Sequence, residues 1–296
     1  AHDNILAGSH DVMVAGGMES MTNAPYILPR ARQGYRLGHG DQAKDHMFLD
    51  GLEDAYETGT LMGVFAERCA GDYQFTREAQ DDYAIASLDR ALAAQVGGHV
   101  VDEIASVDVT TKRQTHRVVS DEQPRNAKRD KIPTLRPAFA KEGTVTAANA
   151  SSISDGAAAL VLTRASVAEA KGLSPIAQIT GHATHGVTPD KFPVAPIGAV
   201  EKLLEKTGTG IGDYDLFEVN EAFAVVAMAA IQSLGLSHAH TNVHGGACAL
   251  GHPIGSSGSR ILVTLLYALK NQGKSKGVAS LCIGGGEATA VAVEMI

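Results

Sequence analysis

Two glycine clusters, each beside a reactive side chain, constrain this chain more than any other feature. His244-Gly-Gly-Ala-Cys-Ala-Leu-Gly-His-Pro-Ile-Gly-Ser-Ser-Gly258 places His252 in a glycine-rich loop, and Gly255-Ser-Ser-Gly258 opens a helix. Cys282-Ile-Gly-Gly-Gly286 places a cysteine at the end of an apolar strand. Glycine lets backbone come close to a ligand, and a helix N-terminus favours negative charge. A thiol and an imidazole in such settings are the ingredients of acyl transfer. Val219-Asn-Glu-Ala-Phe223 adds the amide of Asn220 at another strand end.

The rest of the chain reads as strands alternating with helices, which implies α/β layers. Asp11–Gly17 is a buried strand ending in a glycine turn. Met21 to about Asp50 is irregular, and such a stretch in a compact protein is usually functional or an assembly loop. Thr76 caps a helix running to about Gln95. Residues 105–143 mix short strands with charged loops, and Ala157–Leu162 is a helix end or a strand. Ile176–Gly181 and Leu216–Val219 read as strands, with Pro196–Lys206 and Glu221–Leu234 as helices. Ile261, Leu262, Leu265, Leu266 and Leu269 share one helical face that Gly273 ends. Gly277–Ile283 and Thr289–Met295 close the chain as apolar strands.

Each reactive residue also has an ordinary reading. Cysteine in a strand is usually buried packing. Histidine in a turn is usually structural. Asn220 at a helix start could be an Asx cap of a helix beginning at Glu221. Net charge −8 argues against general nucleic-acid binding, and no apolar run is long enough to span a bilayer. Three cysteines, Cys69, Cys248 and Cys282, cannot build a disulfide framework, which fits the reducing cytoplasm. His182-x-x-His185 and His238-x-His240 have no carboxylate or cysteine at ligand spacing, so no metal is expected. No Gly-x-Gly-x-x-Gly follows a strand, so a nicotinamide oxidoreductase rests only on α/β layers and glycines.

In order and spacing, the segments around Asn220, His252 and Cys282 resemble those of the thiolases, which make or break carbon–carbon bonds in acyl-CoA thioesters. The resemblance implies a layered αβαβα fold of two related halves with an inserted loop domain. Residues 1–24 and 144–170 would be what remains of a first half truncated at its N-terminus, 25–143 the insert and 171–296 the second half. It implies that Cys282 exchanges a proton with the α-carbon of an acyl-CoA. His252 would activate the nucleophilic cysteine and donate to the oxyanion, Asn220 would hold a water beside it, and the Gly284 N–H would be half of a second oxyanion site. Coenzyme A thioesters would be substrates, with no permanently bound cofactor. Leu135-Arg-Pro-Ala-Phe139 and Gly143–Ser151 resemble the region that contacts coenzyme A. There Ser151, Phe139 and Ala147 would meet the pantetheine and adenine portions, and Arg125 the phosphates. Met62 and Phe223 would line the acyl pocket. His244, Leu61 and Phe192-Pro-Val-Ala-Pro196 depart from common family patterns, which bears on acyl-chain preference and not on reaction class.

The family carries its acyl-accepting cysteine in a Cys-Gly-Ser-Gly-like motif that these 296 residues lack. The expectation is therefore an acetyl-CoA acetyltransferase whose accepting cysteine comes from an N-terminal thiolase fragment, the present chain being inactive alone. A 3-ketoacyl-CoA thiolase of fatty-acid breakdown and a non-catalytic subunit that binds coenzyme A remain open. The resemblance further implies a homodimer or homotetramer, with a cytoplasmic location and an organellar one both compatible.

Overall fold

A computed structural model describes all 296 residues. In chain order, α1 (His2–Leu6) and β1 (Val12–Ser20) lead into a long excursion. It carries β2 (Tyr26–Ile27), β3 (Lys44–Asp45), α2 (Met62–Asp72), α3 (Arg77–Val96), β4 (Val107–Thr110), β5 (Thr115–Val118) and α4 (Gln123–Asn126). The chain returns through β6 (Asp155–Thr163) and α5 (Ala165–Ala170). Then come β7 (Ala177–Gly186), α6 (Ala195–Thr207), β8 (Leu216–Val219), α7 (Ala224–Leu234) and α8 (Ala247–Leu250). The chain finishes with α9 (Ile254–Gln272), β9 (Lys276–Ile283) and β10 (Glu287–Met295). No helix is long and apolar enough to cross a membrane.

Two sheets organise the layers. β1 and β6 pair antiparallel from Val12↔Thr163 to Ser20↔Asp155. β7, β10, β9 and β8 form the second sheet in that order, with β8 and β9 its parallel pair. α9 lies between the two sheets, and α6 covers the opposite side of the second. The alternation in β1 turns Met13, Ala15 and Gly17 toward α9 and leaves Val12, Val14 and Met18 exposed beside Val161 of β6.

Ala157–Leu162 resolves as strand. Alanine and leucine favour helix locally, but pairing with β1 along its whole length decides the outcome. β9 is buried along nearly its whole length, as suits a strand with layers on both sides. α7 is apolar all round and buried throughout its first turns, so it runs through the interior. The N-terminus of α9 crosses β1 at glycines. A Cβ on Gly17 would collide with the Gly255 carbonyl, and one on Gly255 with the Met18 carbonyl. That close crossing positions the loop that carries His252.

Candidate active site

The parallel pair β8–β9 brings two strand ends together. The Asn220 N–H donates to the Ser280 carbonyl at 2.9 Å, which continues the ladder one residue beyond β8. Cys282 lies two residues further along β9. The Asn220 side chain reaches the loop before α9, with Nδ2 3.2 Å from His252 Nε2. On the other side of the ring, Nδ1 is 2.6 Å from Ser257 Oγ, and that hydroxyl donates to the Pro253 carbonyl at 3.0 Å. Because the Ser257 proton is committed to Pro253, Nδ1–H must donate to Ser257. Nε2 is then left as the acceptor for the Asn220 amide. Burial, reinforced by the charge of Arg260, pushes His252 down to about 4, so the ring is neutral near pH 7. The His252 N–H is fixed to the Ser152 carbonyl at 3.2 Å.

This geometry corrects one reading of the sequence. Asn220 does not cap a helix starting at Glu221. α7 starts at Ala224 with Phe223 as its N-cap. The four residues before it are held open because their polar groups are used elsewhere. Asn220 turns to His252, Glu221 enters the interior, and the Ala222 carbonyl accepts from both the N–H and the hydroxyl of Ser151, at 3.0 and 2.9 Å.

Glu221 is sealed from solvent and meets four donors. Oε1 accepts from Tyr83 OH at 3.0 Å and from Asn242 Nδ2 at 2.9 Å. Oε2 accepts from Ser87 Oγ at 2.7 Å and from the Cys248 N–H at 3.1 Å. One carboxylate thus ties the turn bearing Asn220 to α3 and to the loop that leads into His252. Ser87 also receives the Gly246 N–H at 2.9 Å.

Cys282 is buried in an apolar cluster with Met62, Phe65, Phe192 and Phe223, and burial pushes its thiol up to about 12. The Met62 sulfur lies against Gly284, whose N–H makes no hydrogen bond within the protein. Phe139 sits edge-on to Phe223, ring centres 6.0 Å apart. Cys282, Met62, Phe223, Phe139 and Ser151 are therefore brought together around the Asn220–Phe223 turn. Ala147 is exposed in a neighbouring turn. Arg125 is exposed on α4 and bonds Ser120 Oγ at 2.7 Å. Its helix is stapled to the site because Gln123 bonds the hydroxyls of Ser152 and Ser154. Lys128 and Lys131 are exposed near it, whereas Arg129 is held by both carboxylate oxygens of Asp89 at 2.8 and 3.0 Å.

The family models described as thiolase N-terminal domain and thiolase C-terminal domain match residues 1–166 and 173–295. The chain belongs to the thiolase family. It is 48% identical over 294 residues to the acetyl-CoA acetyltransferase of Escherichia coli, covering 99% of this thiolase and 74% of that one. The crystal structure of the Bacillus anthracis acetyl-CoA acetyltransferase superposes with a TM-score of 0.95 at 41% identity. An Ascaris suum thiolase solved in complex with coenzyme A superposes with a TM-score of 0.92 at 43% identity. Each superposition covers 99% of this chain and 74% of the other. The fold is α/β and thiolase-like.

Two polar residues of this thiolase's site escape sequence reasoning. Ser257 fixes the tautomer of His252, and its place five residues on, across the first turn of α9, could have been noticed. Glu221 gave no signal, because its partners Tyr83 and Ser87 lie more than a hundred residues earlier.

Proposed function

We propose that this thiolase is an acetyl-CoA acetyltransferase. It condenses two acetyl-CoA to acetoacetyl-CoA and coenzyme A, and runs the reverse thiolysis. The observation that carries the proposal is the Asn220–His252 pair at 3.2 Å, on a turn whose Ala222 and Phe223 pack in one cluster with the buried Cys282. The curated relatives named acetyl-CoA acetyltransferase support it at 45–48% identity over nearly the whole chain.

In thiolysis, the carbon–carbon bond of acetoacetyl-CoA breaks and leaves the enolate of acetyl-CoA. A thiol near 12 is protonated at rest, so Cys282 can hand its proton to that carbanion. In condensation Cys282 first gives its proton to the departing coenzyme A thiolate, and the Cys282 thiolate so formed removes the α-proton of the second acetyl-CoA. Nε2 of the neutral His252 takes the proton of the attacking thiol. With the Asn220 amide, the resulting N–H then faces the thioester oxygen where charge develops. The Gly284 N–H has no competing acceptor and suits a second oxyanion. Ser151 keeps lone pairs able to accept from a pantetheine amide, while Phe139, Met62 and Phe223 give the acyl end an apolar wall.

The acyl-accepting thiol is none of the three cysteines here. Cys69 is pushed up to about 12 by burial. Cys248 is likewise raised, and its sulfur faces the Glu221 carbonyl. The accepting thiol would come from a segment outside these residues, and the active form would be a homodimer or homotetramer.

Thiolysis of acetoacetyl-CoA and of longer 3-ketoacyl-CoA by the natural protein tests the proposal. Turnover is expected to be highest with acetoacetyl-CoA and to fall by about 10²–10³ in His252→Ala. A preference for long chains would move the assignment to fatty-acid breakdown. Coenzyme A binding without turnover would leave a non-catalytic subunit.

A further inference from the structure

A second group of chemically able side chains lies far in sequence from the site above. His182 on β7 has Nε2 2.8 Å from Asp3 Oδ1, and His2 Nδ1 is 3.1 Å from the same oxygen. The ligand atoms of the three residues all lie within 4.8 Å of one another. The imidazoles meet edge to face with ring centres 5.3 Å apart. Both histidines are 29% exposed and Asp3 is 71% exposed, so one side of the group is open to water. In sequence His182-x-x-His185 has no carboxylate at ligand spacing, but the fold supplies one from α1. His185 lies instead against Gly198 of α6.

We propose that His2, Asp3 and His182 form a site for a divalent first-row cation, with zinc the best match, that clips α1 to β7. Two imidazole nitrogens and one carboxylate oxygen are a common zinc donor set, with water in the fourth position. Zinc holds such ligands at about 2.0–2.2 Å, which in a tetrahedron separates neighbouring ligand atoms by about 3.3 Å. The two imidazole nitrogens stand 2.8 and 3.1 Å from Asp3 Oδ1 and within 4.8 Å of each other, so a bound ion would move the carboxylate slightly outward and hold the two rings at ligand spacing. Magnesium and calcium prefer all-oxygen sites and fit less well. The group is carried on backbone that is already fixed. Ile5 of α1 is buried, and its carbonyl accepts from Arg164. His182 lies opposite Val291 in the β7–β10 ladder, and its carbonyl accepts from Lys206 Nζ at 3.0 Å. A filled site would stabilise the folded state by mass action.

The test is zinc titration of the chelator-stripped protein, read by calorimetry and by Tm, and repeated with cobalt for its tetrahedral absorption bands. The expected result is one cation per chain at micromolar affinity or better, with a rise in Tm on saturation. His182→Ala and Asp3→Asn should each weaken that binding by more than about tenfold and remove the rise in Tm. Asp3→Asn separates the two accounts of the cluster. Its amide oxygen can still accept from an imidazole N–H, so a purely hydrogen-bonded group would survive, whereas a metal site loses its anionic ligand. No zinc uptake by the stripped protein, or uptake and Tm rise unchanged in either variant, overturns the proposal. All three positions lie at the surface, and unchanged circular dichroism would confirm that the variants fold.

Discussion

Glu218 and Glu221 stand three residues apart at the end of one strand, and both are shut away from solvent. Their surroundings are opposite. Each Glu221 oxygen accepts from two donors: Tyr83 and Asn242 on one, Ser87 and the Cys248 N–H on the other. Glu218 has the Arg260 guanidinium at 3.8 Å from Oε2 and no partner for Oε1. Burial pushes Glu218 up to about 8, against the pull of Arg260. Glu103 is raised to about 7 and Asp121 is also raised, again by burial against Arg260. A single guanidinium is shared among three carboxyls and cannot hold them all ionised. Burial alone therefore does not decide whether a carboxylate is an asset. The number and direction of its donors do. The fully bonded one is the one beside Asn220.

Removing the bonded member should cost most. Glu221→Ala strands four buried donors and opens a cavity, and a loss of at least about 3 kcal/mol in denaturant unfolding is expected. Turnover should fall with it, because the Asn220 turn loses its anchor to the His252 loop. A loss below about 1 kcal/mol would dissolve the contrast.

Glu218→Gln should do the reverse. The folded carboxyl titrates near 8 and the unfolded one near 4.5. Its contribution is full below 4.5 and is lost as pH rises through 8. Wild-type stability should therefore fall relative to the variant between those limits, by up to about 1.4 kcal/mol per pH unit. Parallel stability curves would show that Glu218 is ionised in the fold. The smallest structural change, Ser87→Ala, removes one of four donors and should cost about 1 kcal/mol.

His252 carries the same physics with opposite sign. Its folded value of about 4 lies below the ordinary 6.5. The folded ring therefore stays neutral down to about 4, and its contribution is full above 6.5 and lost as pH falls from 6.5 through 4. The His252 contribution to the acid limb of kcat should centre near 4, and a limb near 6.5 that His252→Asn removes would contradict the burial account.

The layout of this candidate site was legible where it depends on local backbone. The glycines around His252 and after Cys282 announce a loop and a strand end that accept a close ligand, and the parallel neighbours β8 and β9 bring those ends together. Less legible was whatever depends on distant residues. Asn220 reads as a helix cap until His252 is placed beside it, and Glu221 reads as a helix start until Tyr83 and Ser87 arrive from α3. Ala157–Leu162 carries no periodicity that separates strand from helix, so its state waited on β1. The Asp3–His182 contact spans 179 residues and has no local trace at all.

The central claim is that Cys282 moves an α-proton while Asn220 and His252 hold the enolate oxygen. The most direct measurement is deuterium exchange at the acetyl methyl of acetyl-CoA in heavy water, followed by mass spectrometry on the natural protein and on Cys282→Ala. The account predicts exchange by the wild type that falls by about 10²–10⁴ in Cys282→Ala with the fold intact. Exchange at the wild-type rate in the variant would take the base away from Cys282 and contradict the account.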